Sequence, residues 1–589
     1  VNDDDDFASD DFSPEPPADD PDAAAEKLLA DCATEHETDI GNGRRFRRRF
    51  GDLAREYAGA ASHIAINVAH IGWHVYDGTR WKEDEDGAMI RPLVHRMAEA
   101  IRKEAMVIEA SEEERAVIDA GEVAAAALEA MKSSKRKSLP DAKRQAEIKD
   151  LEAVVKAAEQ VIDMVAGRRA SRRRHAKSTA GSSKLSNALQ EAQAYVSKTV
   201  GQLNANRYCV NCLSGTIDFV QVEIEDEESD PDDPRFRSEW RAVLREHRQE
   251  DYITKLAPVE WSPDKAPEMK EFKRFLMKLQ PDPEMRAFLK RFCGYLLTGL
   301  TVEQVVLFFY GAGRNGKSTF VDLLCYILGD YAVTLSIDSF SGDNKRGGGE
   351  ATPDLARLPG ARLVAASEPE ANVKLKDALI KTLTGGERIP VRRLHKDFFE
   401  VDPYFKIILS GNHKPRIDDD SDGIWRRVLL VPWLIQIPPS EIDRGLSQKL
   451  RAEAAGVFAW MIDGAVEYLN QGLGVPGAVR AASEEYRQES DAIGTFIRMA
   501  CTVTGMDGDQ ETPLDLFMAY EKFADAEGLF KFNRATFERR FAKAADRAFE
   551  GSDGLMHQFA RVRSNGKTTY RGIRVRPDWI PTHGGGDER

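Results

Sequence analysis

Residues 303–329 read EQVVLFFYGAGRNGKSTFVDLLCYILG, and this stretch decides the fold. VVLFFY is a short continuous apolar run, the pattern of a strand buried on both faces of a parallel sheet. Gly311-Ala-Gly-Arg-Asn-Gly316-Lys317-Ser318 then matches GxxxxGK[ST] at every fixed position. TFVDLLCYIL follows at helical spacing, and Gly329 closes it. Strand, loop and helix in that order are the setting in which such a loop holds phosphate. The glycines let backbone N–H groups turn inward around the β-phosphate, Lys317 reaches the β and γ oxygens, and Ser318 can ligate Mg2+. Gly311, Gly313, Asn315, Gly316, Lys317, Ser318 and Thr319 are the expected binding residues, with ATP and Mg2+ as cofactors.

Hydrolysis also needs a carboxylate on a neighbouring strand to orient water. ARLVAASEPE (361–370) supplies an apolar run ending in Ser367 and Glu368. Glu368 is the expected base, with Glu370 as the fallback. Many ATPases carry Asp where Ser367 stands, so metal holding rests more on Ser318, phosphates and water. A third strand, YFKIILSGN (404–412), ends in Asn412, whose amide would sit beside the γ-phosphate. GIWRRVLLVPW (423–433) then places Arg426 and Arg427. One of them, with Arg427 preferred, would project onto a neighbouring subunit's γ-phosphate and stabilise transition-state charge. A small-molecule kinase would lack a substrate lid here and leaves Asn412 and the arginine pair unexplained.

With 589 residues the chain is too long for one core. Hydrophobic residues at 42% and charged residues at 31% fit a globular protein. No apolar run approaches the ~20 residues that span a bilayer. The acidic, Pro-rich start does not read as a leader peptide, so the expected location is the cytoplasm, with no membrane partner. Fourteen acidic residues against Lys27 between Val1 and Glu37 carry −13 of the net charge of −15, so the remainder is nearly neutral and nucleic acid is not excluded. Of six cysteines only Cys209 and Cys212 have CxxC spacing, and a lone pair makes no zinc site.

These features divide the chain. Residues 1–38 read as an acidic disordered tail. A small α/β region (39–107) contains a hairpin around Trp73, Val75, Tyr76, the Asp77-Gly78 turn and Trp81. The Arg run 44–49 would touch nucleic acid or form a solvated helix face. Long charged helices fill 108–199, ending in the basic cluster Arg168 to Lys177, which also suits a helix dipole. Residues 200–300 include two amphipathic helices divided by Pro281 and Pro283. The ATPase core spans 301–440, a helical lid 441–490, and a small domain 491–589.

That last domain reads as two helices followed by a hairpin across Asn565-Gly566, a winged helix. Lys531 to Arg576 hold twelve Lys/Arg against four Asp/Glu, the footprint of duplex or forked DNA. Arg539, Arg540 and Lys543 would face outward on the reading helix, with Lys567 in the wing. Protein docking is the alternative use of this surface.

GAGRNGKSTF, RLVAASEPE, LIKTLTGGERIPVRRLHKDFFEVDPYFKIILSGNHKPRI and DGIWRRVLLVPW together resemble the superfamily 3 helicases. The closest likeness is to the phage/plasmid primase–helicase family that includes satellite-phage and poxvirus proteins, over about residues 200–435. The resemblance implies an α/β fold with a P-loop AAA+-like core. It also implies a ring, usually hexameric, that hydrolyses ATP between subunits and travels on single-stranded DNA. Related helicases carry a channel hairpin before the Asn strand, which here falls on Arg392, Arg393, His395 and Lys396, a positive tip suited to a single-strand backbone. No metal-binding constellation for primer synthesis precedes residue 200, so a primase or polymerase partner is expected. The alternative to a helicase is an initiator or loader that binds DNA and recruits partners.

Overall fold

Leu28 and Cys32, one helical turn apart, pack under Tyr57 and anchor a helix, α1 (Pro21–Ala33), that begins on proline. The computed structural model describes residues 21–57, 64–133, 141–225, 235–265, 267–342, 354–367, 374–393, 397–417, 422–528, 531–564 and 566–580. Residues 21–33 correct the expectation of a disordered tail to residue 38. The acid count hides the apolar residues Ala24, Leu28 and Cys32 that give this segment a buried face. The chain divides into two units, residues 1–205 with 247–255 and 396–399, and residues 206–246, 256–395 and 400–589.

In the first unit, Thr38 caps α2 (Asp39–Phe50) by accepting from the Gly41 N–H. A four-stranded sheet in the order β3-β2-β1-β4 follows: β1 (Ala65–Val68), β2 (Gly72–Tyr76), β3 (Trp81–Glu83) and β4 (Ser197–Lys198). The β2–β3 pairing sets Tyr76 opposite Trp81, the hairpin read from the sequence. Four helices make up the rest: α3 (Ile90–Glu104), α4 (Glu112–Ser133), α5 (Asp141–Thr179) and α6 (Ser182–Gln193). Phe46, Leu93, Val94, Met97, Leu185 and Ala188 form their core over Val75.

The expected alternatives for the Arg44–Arg49 run both miss its main use. Arg45 has no exposed surface and donates to the equally buried Glu104 at 3.0 Å, while Arg172 of α5 reaches the same carboxylate at 2.5 Å. Arg47 and Arg48 pair with Asp52 and Glu35. The run is amphipathic in charge, with one arm buried in an ion-pair node joining α2, α3 and α5. Sequence spacing cannot show a partner 59 or more residues away.

The second unit opens on an antiparallel sheet, β5 (Cys209–Cys212), β6 (Gly215–Glu225) and β7 (Phe236–Arg245). Next come α7 (Lys270–Leu279) and α8 (Pro283–Leu296), with Asp282 capping α8. Five parallel strands follow: β8 (Val306–Tyr310), β9 (Ala332–Thr334), β10 (Leu363–Ser367), β13 (Lys406–Gly411) and β14 (Val428–Pro432). The helices α9 (Lys317–Leu328) and α10 (Asp377–Thr384) and a two-stranded ladder, β11 (Ile389–Arg392) with β12 (Phe398–Val401), lie between them in the chain. The parallel order is β14-β8-β13-β10-β9. In register, Ser367 faces Ser410, Ser410 faces Phe309, and Gly411 faces Tyr310, so the carboxyl ends of the three central strands align. Ligands of open α/β sheets bind at such ends.

A short helix α11 (Asp422–Trp425) leads into β14, and α12 (Leu446–Ala452), α13 (Ala454–Gln471) and α14 (Gly477–Ser490) follow. Val457, Phe458 and Met461 of α13 join the same core as Phe288 and Phe292 of α8. On α14, Ser483 Oγ accepts from the Leu430 N–H at 2.8 Å and so covers the edge strand β14. The remaining segment has its own aromatic core of Phe496, Tyr520, Phe523, Phe537 and Phe541. It contains α15 (Ala492–Ala500), β15 (Cys501–Val503), β16 (Gln510–Glu511), α16 (Pro513–Ala526), α17 (Arg534–Ala544), β17 (Phe549–Glu550), β18 (Met556–His557), β19 (Ala560–Ser564), β20 (Lys567–Arg571) and β21 (Ile573–Val575). β19 and β20 form the expected hairpin. No described helix is long and apolar enough to cross a membrane.

Candidate functional site

The loop between β8 and α9 is built around two glycines. Gly311 has φ 154°, and a Cβ there would meet the Trp433 carbonyl oxygen at 2.0 Å. Gly316 has φ 77°, and its Cβ would meet Leu279 Cδ1 at 2.3 Å. Only glycine fits either position. Arg314 also holds a left-handed φ of 62°, and its carbonyl accepts from the Ile437 N–H at 2.8 Å. Such strain persists only where the surroundings over-determine it. Asn315 supplies part of that fixing, donating to the Trp433 carbonyl at 2.7 Å.

Lys317 is 4% exposed, and among the described residues no carboxylate lies beside its ammonium. Nζ donates to the Gly311 carbonyl at 2.5 Å, to Asn315 Oδ1 at 3.0 Å and to Asn412 Oδ1 at 3.2 Å. Burial pushes its pKa below the ordinary lysine range. A buried cation held only by neutral oxygens is costly, and an arriving phosphate would relieve that cost. Ser318 is exposed in the first turn of α9, where unpaired N–H groups also favour an anion. Thr319 is half-buried next to it, and Gly313 is exposed in the loop. Among the described residues no group of three His, Cys, Asp or Glu could hold a metal ion. Ser318 could hold a divalent cation together with phosphate oxygens and water, and Ser367 stands at the exposed end of β10.

Asn412 emerges from β13 and shares Lys317 with the loop, so the structure brings these two expected residues together. Glu368 and Glu370, which follow β10, lie outside the described residues. The arginine pair divides by burial. Arg427 is 8% exposed, donates to Gln304 Oε1 at 3.1 Å and to the Gly423 carbonyl, and so is committed within its own chain. Arg426 is exposed. Between the buried Trp425 and Val428, Arg426 faces outward and Arg427 inward.

The loop after Asn412 holds residues that motif reading missed. Lys414 lies 5.0 Å from the Tyr310 ring and pairs with Glu489 at 2.6 Å. Tyr486 of α14 donates to the Pro415 carbonyl and packs edge-on against Trp425 at 5.3 Å. Arg487 pairs with Asp422 at 2.5 Å, on the helix that precedes Arg426.

Of the candidate nucleic-acid contacts, Arg392 closes β11 and Arg393 follows it, both half-buried, while His395 and Lys396 lie outside the described residues. On α17, Arg539 is exposed. Arg540 is half-buried with its guanidinium 4.2 Å from the Phe532 ring centroid, which corrects the expectation that it faces outward. Arg540, Lys543 and Arg547 line a cleft of about 500 Å³ against Asp422, Arg487 and Asp491. Arg540 and Lys543, three residues apart, share one face of α17 turned from Arg539, and Arg547 follows the end of the helix. Lys567 is exposed at the start of β20.

The family model described as D5 N terminal like matches residues 43–281. The chain carries a D5-type N-terminal domain of the primase–helicase family. A second model, described as a family of unknown function (DUF5906), matches residues 309–427 of this D5-type chain. A protein of Acanthamoeba polyphaga mimivirus named "Putative helicase" is 31% identical over 245 residues, covering 39% of this chain and 25% of that protein. One of Frog virus 3 (isolate Goorha) with the same description is 33% identical over 163 residues, 27% of this chain and 17% of its own length. The D5-type chain thus covers a quarter or less of these relatives. The solved apo structure of the NrS-1 C-terminal region aligns over 54% of this chain and 79% of that one, at 15% identity and a TM-score of 0.34.

Proposed function

We propose that this chain is an ATP-driven DNA helicase of superfamily 3, working as a ring, hexameric as in the family it resembles, on single-stranded and forked DNA in the cytoplasm. In this reading the second unit is a P-loop, AAA+-like ATPase with a C-terminal winged-helix domain, and primers come from a primase or polymerase partner. Bound MgATP supplies the γ-phosphoryl group whose transfer to water drives movement. Lys317 would leave the Gly311 carbonyl for the β and γ oxygens, and Ser318 would hold the cation. That move also frees Asn412 Oδ1 from Lys317, so Asn412 turns to the attacking water. Glu368 accepts the proton of that water. Arg426 reaches the phosphate of the neighbouring subunit, because Arg427 is already committed inside its own. Arg392, Arg393, His395 and Lys396 would grip the strand, and Arg539 and Lys567 the fork.

The observation that supports this most is the single ammonium shared by the loop and Asn412. It couples phosphate binding to the end of β13, which a passive nucleotide-binding protein does not require. The test is ATP hydrolysis and strand separation on a forked substrate by the parent, Lys317→Ala and Glu368→Gln. Both variants should lose both activities. DNA binding with no unwinding by the parent in any nucleotide state would replace the helicase reading with the initiator or loader.

A further inference from the structure

The first unit contains a groove of about 620 Å³ between α3, α5 and the start of α6 that none of the preceding roles uses. His95 and Arg102 line it from α3, and Arg173 and Lys177 from α5. Glu99 is the one carboxylate among its described lining residues. The floor is made by Ala98 and Ala176, both buried, so nothing large keeps a chain away from the two helices.

The basic cluster of α5 divides into two sets with different employment. Arg168 pairs with Glu114, Arg169 donates to the Ile108 carbonyl, and Arg172 holds Glu37 and Glu104. These arms hold the helices together. Arg173 and Lys177, four residues apart, emerge on the groove side, and both are exposed. Among the described residues, neither these two nor His95 and Arg102 make an ion pair or hydrogen bond. A helix dipole accounts for Lys177 and Arg102, each in the last turn of its helix, but not for Arg173 or His95. Nor does it account for convergence. The end of α3 lies against Arg172 and its start reaches Ser182, so the helices run antiparallel and their basic residues are brought to one groove.

We infer that this groove binds the phosphodiester backbone of single-stranded nucleic acid, as a site separate from the ATPase unit. Exposed like charges left without partners repel one another, and a polyanion neutralises them while releasing its counterions. His95 and Arg102 are seven residues apart, about 10 Å along the helix, so the row matches a few consecutive phosphates rather than one isolated anion. The floor offers alanine and no aromatic ring for stacking, so contact falls on the backbone and is indifferent to sequence.

The test is fluorescence anisotropy of the full chain with a labelled oligodeoxythymidylate across a salt series, without nucleotide. Each phosphate contact on a single strand contributes about −0.7 to the slope of log affinity against log salt. Arg102→Ala/Arg173→Ala/Lys177→Ala should flatten the slope by about 2 and weaken binding about tenfold or more at low salt. ATP hydrolysis without DNA should stay at the parental rate, which separates this result from failure of the helicase reading. Lys143→Ala/Lys149→Ala/Lys156→Ala removes the same charge from exposed positions elsewhere on α5. An unchanged slope in the groove variant, or an equal loss in the second variant, overturns the inference. Should the groove variant not fold, Arg173→Ala alone must lower the slope by about 0.7, and no change there overturns it equally.

Discussion

Replacing Arg426 and Arg427 one at a time separates two jobs that adjacent identical residues conceal. Arg427 is 8% exposed and donates to Gln304 and Gly423, so Arg427→Ala strands two acceptors next to β8. A hydrogen bond from a charged group is worth about 1.5–3 kcal/mol, and relief of burying the cation returns part of that. A net loss of about 3 kcal/mol should lower the melting temperature by about 4 °C in a unit of this size. Hydrolysis by the fraction that remains folded should fall less than about tenfold. Arg426→Ala removes an exposed side chain and should change stability by less than about 0.5 kcal/mol. If Arg426 completes a neighbour's pocket, kcat should fall about 10³–10⁵-fold, or about 4–7 kcal/mol of transition-state stabilisation. Calorimetry and a coupled ATPase assay read the two effects independently. Mixing Arg426→Ala with Lys317→Ala subunits should restore activity, because each supplies the half the other lacks. A folded Arg426→Ala enzyme at near-parental kcat, or mixed subunits that stay inactive, would refute the assignment.

Three further outcomes are expected. Glu104→Gln leaves Arg45 and Arg172 buried around a neutral amide, and should destabilise the first unit by about 3–5 kcal/mol; a melting temperature within about 2 °C of the parent would contradict the buried node. Gly316→Ala forces a methyl toward Leu279 and Phe275 at a left-handed φ, and should abolish binding of a fluorescent ATP analogue while costing about 2 kcal/mol or more of stability; retained affinity would mean the loop has another shape. Burial pushes the Cys32 and Cys325 thiols up to about 11 from the ordinary 9. The folded state keeps these protons where the unfolded chain loses them, so their contribution is whole below pH 9 and fades as pH rises toward 11. Denaturation midpoints should accordingly fall above pH 9, and thiol reagents at pH 8 should label Cys32 only after unfolding.

The shape of the β8–α9 loop was legible because its geometry is local. Seven residues, two flanking apolar runs and fixed spacings specify Gly311, Gly316 and Lys317 without knowledge of anything distant. The parallel sheet and the β2–β3 and β19–β20 hairpins followed from the same short-range patterns. What stayed hidden depends on long-range pairing. Nothing in RRFRRRF indicates that Arg45 is swallowed by Glu104 while Arg47 stays at the surface. Nothing in WRRV says which arginine turns inward, since that depends on Gln304, more than a hundred residues earlier in the chain. Lys406, inside the strand YFKIILSGN, is buried with its ammonium on the Thr298 carbonyl at 2.5 Å. The acidic opening misled for a different reason. A charge sum averages over residues, whereas α1 needs only Ala24, Leu28 and Cys32 on one side.

The hydroxyl of Ser483 on the Leu430 amide also limits how copies of this chain can assemble. The margin of the parallel sheet at β14 has that donor already taken, and Pro432 in the same strand carries no N–H at all. A further strand laid along this margin would find few partners for its carbonyls, so the sheet cannot grow from one molecule into the next. Any contact between copies on this side would have to be made by side chains, which can slide and re-form where a continuous ladder would lock.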